Sequence, residues 1–136
     1  MFVVDASIAL AWLLPDEETD KAETVMVLAR RSGAIAPALF PLEVANALRS
    51  NLRRGRLDAI YRDAALDQLD KAAVARDLEA YDPTVLRETV RLSDKHDLTV
   101  YDAAYLELAL RHDAPLGTLD DDLRRAAGAE NVVLHP

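Results

Sequence analysis

Short apolar runs alternate along this chain with longer segments whose apolar positions recur at helical spacing. Phe2, Val3 and Val4 have the length and β-branching of a buried strand, since strands covered on both faces read as continuous apolar runs. Residues 6–17 then predict a short helix, with Ile8, Leu10, Ala11, Trp12 and Leu14 apolar and Pro15 with Asp16 as its stop. A second helix over 17–31 is acidic in front and basic behind, as the macrodipole favours, and Gly33 closes it. After a short strand at 34–38, a helix over 40–55 carries Pro41 in its first turn, Phe40, Val44, Leu48 and Leu52 at helical spacing, and Gly55 at its end. Another helix follows at 57–72, and a third strand is expected around Val74 to Leu78. Asp82 before Pro83 is an N-cap for a helix over 83–97, with Val85, Leu86, Val90 and Leu92 as its expected buried stripe. The stretch 100–113 is strongly helical, 114–120 reads as a strand running into a helix start, 121–128 as a short helix ended by Gly128, and 131–136 as a last strand. Strands alternating with helices imply a parallel sheet covered on both faces, an α/β fold.

Composition narrows the chemistry more than the fold. The 136 residues suit one ordinary domain, and 51% hydrophobic against 29% charged residues is a globular balance. Cysteine is absent, which excludes disulfides and thiolate zinc sites, and His96, His112 and His135 are too scattered for a zinc motif. Any metal must be held by oxygen. The run "IALAWLL" is too short to span a bilayer and has no basic segment ahead of it, so a cytoplasmic protein with no membrane partner is expected. The formal charge of -8 argues against broad attraction to nucleic acid, so any such contact must be local.

Four acids stand in comparable places. Asp5 ends the first apolar run, at the sheet edge where ligands collect, and an Asp there is a metal ligand, a nucleophile or only a helix N-cap. Asp120 ends a second such run, but Asp121 and Asp122 crowd the same first turn, where acids are favoured anyway, so taken alone it reads as a cap before a ligand. Glu43 lies in the first turn of an apolar helix with Asn46 one turn later on its side; the plain alternative is an exposed acid at a helix start. Asp102 shares its helix side with Ala103, Leu106, Ala109 and Leu110, and a carboxylate among apolar neighbours is costly unless paired or metal-bound. Right-handed crossovers return each helix start to the carboxyl edge of a parallel sheet, and the strands of Asp5 and Asp120 can lie side by side there. Four carboxylates without a compensating Lys or Arg raise one another's pKa values, which a cation relieves. All-oxygen ligation favours Mg²⁺ or Mn²⁺, ions that take phosphate oxygens as further ligands and activate water for attack on phosphorus.

Taken together, "VVDAS", "PLEVANAL", "LTVYDAAYLELAL" and "GTLDDDL" resemble a PIN domain, specifically a VapC-type ribonuclease toxin of a bacterial or archaeal toxin–antitoxin pair. The likeness covers essentially the whole chain. It implies a three-layer α/β fold, a five-stranded, mostly parallel sheet flanked by helices, as a single nuclease domain over 1–136. It further implies that Asp5, Glu43, Asp102 and Asp120 hold one or two Mg²⁺ or Mn²⁺ ions, so that a metal-activated water cleaves RNA to leave 5′-phosphate and 3′-hydroxyl ends. The family's fourth acid usually follows a Thr by two positions, as Asp120 follows Thr118, with Asp121 and Asp122 as open alternatives. Ser7 and Thr118 match supporting hydroxyl positions and Asn46 a polar position beside the Glu. Helix capping for Ser7 and local backbone bonding for Thr118 are their plainer readings. A homodimer is implied, silenced by a cognate antitoxin whose C-terminal segment lies over the active-site groove.

Basic residues cluster in "RSNLRRGR", where Arg49, Arg53, Arg54 and Arg56 are either RNA or antitoxin contacts or solvated cations at a helix C-terminus, and Arg124 and Arg125 stand in the same position. Trp12, Tyr101 and Tyr105 are read as core or dimer surface, with base stacking as the lesser alternative. Two rival functions remain. A haloacid-dehalogenase-type phosphatase also starts with an Asp after its first strand, but wants a second Asp where Ser7 stands and a Lys before the final acids. A non-catalytic PIN-like module that binds RNA or a protein partner would keep the fold without the reaction.

Overall fold

The computed structural model describes residues 1–14 and 19–136; the predicted helix stop at Pro15 and Asp16 falls outside them. Five strands form one sheet in the order β3-β2-β1-β4-β5, with every pairing parallel. They are β1 (Phe2–Val4), β2 (Ala34–Pro37), β3 (Ala75–Asp77), β4 (Leu116–Gly117) and β5 (Leu134–His135). The helices are α1 (Ala6–Leu13), α2 (Thr19–Ser32), α3 (Phe40–Arg53), α4 (Ala59–Lys71), α5 (Pro83–His96), α6 (Val100–Arg111) and α7 (Asp121–Ala129), with a 3₁₀ turn at Glu79–Tyr81. The chain builds outward from β1 through β2 to β3, then returns over α5 and α6 to place β4 on the other side of β1. Strand order therefore reverses between β1 and β4, the point at which open α/β sheets bind their ligands.

Side chains alternate across β1, and each face of the sheet acquires its own core. Val3 points into a cluster with Phe40, Val44, Leu48, Leu92, Leu106 and Leu123, and Phe2 and Val4 pack on Ile8, Val25, Met26 and Ala29. Close packing on the second face needs a glycine: a Cβ at Gly117 would stand 2.6 Å from Val25 Cγ1. Gly33 and Gly55 follow α2 and α3 with φ of 82° and 70°, the left-handed region glycine adopts without strain.

Arg111, at the end of α6, reaches three acids on three elements, β3, the 3₁₀ turn and α6 itself. It donates to Asp77 Oδ2 at 2.6 Å, Glu79 Oε2 at 2.6 Å and Glu107 Oε1 at 2.9 Å. Asp77 and Glu107 are both buried, so this network ties α6 to the edge strand β3 while neutralising two acids that have left water.

Two local expectations are corrected. The buried stripe of α5 is Thr89, Leu92 and His96, whereas Leu86 and Val90 are exposed. A face one position round the helix satisfies the same spacing, and the buried polar groups are satisfied locally: Thr89 Oγ1 donates to the Val85 carbonyl, and His96 Nε2 meets Glu130 Oε1 at 2.6 Å. Gly128 does not end α7, which runs on to Ala129; the left-handed turn falls at Asn131, with φ of 60°, because Asn also tolerates that conformation.

Candidate active site

Asp5 follows β1 directly and is the N-cap of α1, its side chain accepting from the Ile8 N–H at 3.2 Å. Unlike an ordinary cap it is buried. Ser7 Oγ donates to Oδ1 at 2.5 Å, and Thr118 Oγ1 donates to Oδ2 at 2.6 Å. Both hydroxyls also accept from the loop after β4, Ser7 from the Leu119 N–H at 2.9 Å and Thr118 from the Asp120 N–H at 3.0 Å. Each oxygen of Asp5 is therefore fixed by a group that also fixes the β4–α7 loop. Burial pushes the Asp5 carboxyl above the ordinary carboxylate range, with these hydrogen bonds pulling it back.

Asp120 caps α7 as Asp5 caps α1, accepting from the Leu123 N–H at 2.8 Å. The adjacency of their strands follows from the β1–β4 pairing, with Val4 opposite Gly117. Asp102 is half-buried in the first turn of α6, whose cap is the Thr99 hydroxyl. Burial raises its pKa, a hydrogen bond with Thr99 opposes the rise, and the charges of Asp120 and Asp122 add to it. Glu43 lies in the first turn of α3, behind Pro41, and accepts from Tyr105 Oη at 3.0 Å. Its carboxyl is raised first by burial and then by the charges of Asp102 and Asp5, against the hydrogen bond from Tyr105. Asp5, Asp102 and Glu43 are thus each shifted in the direction that favours the protonated form.

The four acids accordingly share one region at the carboxyl edge of the sheet, around the β1–β4 junction. They do not close on one another: among the described residues no three acidic or histidine side chains are gathered into a ready-made metal cluster. Asn46 is exposed, and no hydrogen bond joins it to the acids. Arg49, Arg53 and Arg54 are exposed at the far end of α3; Arg53 is some 15 Å along the axis from Glu43, at about 1.5 Å per residue. Arg56 lines a separate groove of about 850 Å³ between α1, α3 and α4, with Leu14, Leu57, Ile60 and Tyr61. Arg124 donates to the Thr118 carbonyl at 2.9 Å and Arg125 to the His96 carbonyl at 3.2 Å, so both brace the fold. Trp12 is half-buried under Arg30, 5.1 Å from the ring centre, and Tyr101 is exposed beside Asp102.

Two contributions were not visible in the sequence. Tyr105, read there as core or dimer surface, is core and is also the hydrogen-bond partner of Glu43. Asp122, read as a spare for Asp120, bears electrostatically on Asp102. The one signal for Tyr105 was its place three residues after Asp102, on the same side of one helix.

This fold, with acids converging where strand order reverses, defines a class: the PIN domain pattern matches residues 2–129, and the chain belongs to that family. Ribonuclease VapC3 from Pyrobaculum aerophilum is 36% identical over 121 residues, 89% of this chain and 90% of that protein. Within the family the chain is therefore of the VapC type. Among solved structures it is similar to PAE2754 from Pyrobaculum aerophilum, with a TM-score of 0.72 and 24% identity over 98% of this chain and 89% of that one. VapBC2 from Rickettsia felis, solved bound to a DNA fragment from their promoter, gives 0.66 at 11% identity over 98% and 96%. At these identities the likeness is one of fold. Family membership removes the haloacid-dehalogenase alternative, and Ser7 is committed to Asp5 and the Leu119 N–H rather than to acid–base work.

Proposed function

We propose that the chain is a divalent-cation-dependent endoribonuclease, the toxin of a VapC-type toxin–antitoxin pair, with Asp5, Glu43, Asp102 and Asp120 as its working carboxylates. The observation that carries the reading is that the acids sit near one another at the sheet edge where strand order reverses: beyond burial, which comes first, the charges of Asp102 and Asp5 raise Glu43 and the charge of Asp120 raises Asp102. Acids that raise one another's pKa are poised for a cation, and an all-oxygen donor set suits Mg²⁺ or Mn²⁺. When bound, such an ion supplies Lewis acidity toward a phosphate oxygen and lowers the pKa of water. The chain's own part is orientation. Ser7 and Thr118 lock Asp5, the N-terminus of α7 fixes Asp120, and Thr99 and Tyr105 hold Asp102 and Glu43.

The name of the Pyrobaculum aerophilum relative supports RNA as the substrate. The VapBC2 neighbour supports a cognate antitoxin as partner. We assign Arg49, Arg53 and Arg54 to contact with RNA or antitoxin, because these exposed cations form no ion pair among the described residues. Asn46 faces solvent one turn after Glu43, where it would meet substrate rather than support the acids. A homodimer acting in the cytoplasm completes the reading; no described helix is long and apolar enough to cross a membrane.

One observation favours a non-catalytic binding module: the acids are not gathered into a cluster. Incubating purified, partner-free protein with total RNA in Mg²⁺ or Mn²⁺, in EDTA, and as Asp5→Asn separates the two readings. Metal-dependent cleavage that vanishes in the variant supports the nuclease. Cleavage surviving EDTA and the substitution, or a folded, metal-loaded protein that cuts no RNA, overturns it.

A further inference from the structure

We infer that Tyr105 is the positioning residue for Glu43, holding that carboxylate toward the shared acidic region through its phenol. The inference rests on the reading of the four acids as a cation site.

The argument begins with how unequally the acids are tethered. Asp5 has two hydroxyl donors and a backbone N–H, and sits on the shortest acidic side chain. Asp120 is held by a backbone N–H of its own helix, and Asp102 by the Thr99 hydroxyl within its own turn. Glu43 is different. It is not the cap of α3, a position occupied by Leu39 with no side-chain hydrogen bond. Its side chain has three rotatable bonds, and its one hydrogen-bond partner among the described residues comes from a different element, 62 positions along the chain.

Tyr105 is built for that task. Its relative exposure is 1%, among the largest fully buried side chains, so the ring cannot swing and the phenol position is set by the core. A buried phenol needs an acceptor, and among the described residues Glu43 Oε1 at 3.0 Å is the one it has. Because Tyr105 follows Asp102 on α6, a single helix presents one acid directly and orients a second acid on α3. Deleting only the phenol oxygen would leave the ring packed and let Glu43 rotate among its rotamers. Removing such a supporting group typically costs about 10–100-fold in metal affinity.

The test is Mn²⁺ binding by calorimetry without RNA, on wild type, Tyr105→Phe, Glu43→Ala, their double variant and Asp5→Asn, with metal-free melting curves alongside. The expected result is a Tyr105→Phe protein that melts near wild type yet binds Mn²⁺ about tenfold more weakly. In the Glu43→Ala background the same substitution should change affinity by less than about twofold, since a residue acting through Glu43 has nothing left to act on. Wild-type affinity in Tyr105→Phe with a loss in Glu43→Ala overturns the assignment, as does a full, additive loss in the double variant. Wild-type affinity in both Glu43→Ala and Asp5→Asn would instead overturn the cation-site reading beneath it. Should Tyr105→Phe not fold, the near-ultraviolet tyrosine bands of wild type and Glu43→Ala decide: a shift supports the bond, and identical spectra refute it.

Discussion

Replacing Thr118 by Val exchanges a hydroxyl for a methyl at a position with no exposed surface, so shape is kept and two hydrogen bonds are lost. One is given to Asp5 Oδ2 at 2.6 Å, the other taken from the Asp120 N–H at 3.0 Å. A hydrogen bond to a charged group contributes about 1.5–3 kcal/mol and a neutral one about 1. Water reaches part of the half-buried Asp120 turn, so the expected loss in the metal-free protein at neutral pH is roughly 2–4 kcal/mol. For a chain of this size that is on the order of 8–15 °C in melting temperature. The sign with pH follows from Asp5, whose folded pKa is already raised by burial and is lowered by this bond. Without the bond it rises further above its unfolded value. The penalty belongs to ionised Asp5, so it is complete above the folded pKa and fades as pH falls toward the ordinary value of about 4. Urea unfolding in EDTA, followed by circular dichroism at neutral pH and near pH ~4, measures both numbers. Thr118→Ser is the control: it keeps both bonds, loses one buried methyl, and should cost about 1 kcal/mol at either pH. A Thr118→Val deficit below about 0.5 kcal/mol, or one equal at both pH values, would refute the reasoning.

Three further outcomes follow from the same structure. Asp102→Asn removes a charge that burial, Asp120 and Asp122 disfavour; in EDTA at neutral pH it should stabilise by about 0.5–2 kcal/mol while abolishing RNA cleavage. Because the folded pKa of Asp102 lies above its unfolded value, the gain in a urea series should shrink as pH falls toward ~4, and a destabilised variant at neutral pH would count against the charge crowding. Arg111→Met leaves Asp77 and Glu107 buried without their cation, and the urea midpoint should report a loss of about 3–5 kcal/mol; a loss below ~1 would show that the network is dispensable. Gly117→Ala drives a Cβ into the stiff Val25 side chain and should lower stability by about 1–3 kcal/mol in thermal melts, whereas an unchanged melting temperature would mean that α2 yields freely.

The legible parts of this molecule are those whose cause is local. Asp5 and Asp120 were readable because each ends an apolar run and opens a helix, and the same local logic makes both N-caps in fact. β3 fell within the expected window, and Gly33 and Gly55 take the left-handed backbone their places suggested. What stayed hidden depends on which way a helix is turned or on a partner distant in sequence. Leu86 and Val90 satisfy helical spacing as well as Thr89 and Leu92 do, and only packing decides which side faces inward. The Tyr105–Glu43 bond joins α6 to α3, and no local pattern encodes it. Asp122 matters to Asp102 through space, across the gap between two helix starts.

The order in which a ribosome delivers this chain gives the lock on Asp5 a meaning in time. Asp5 emerges first, and the hydroxyl that fixes its second oxygen lies 113 residues later. Until Leu116 and Gly117 settle beside β1, neither Thr118 nor Asp120 can reach the first acid. A growing chain, or a product truncated anywhere before β4, therefore carries at most three of the acids and lacks the hydroxyl that fixes Asp5 Oδ2. Under the proposed reaction the cell that makes this protein is not exposed to the cutting edge until β4 has been made and has docked, and a single proteolytic nick followed by loss of β4 and β5 would disarm it.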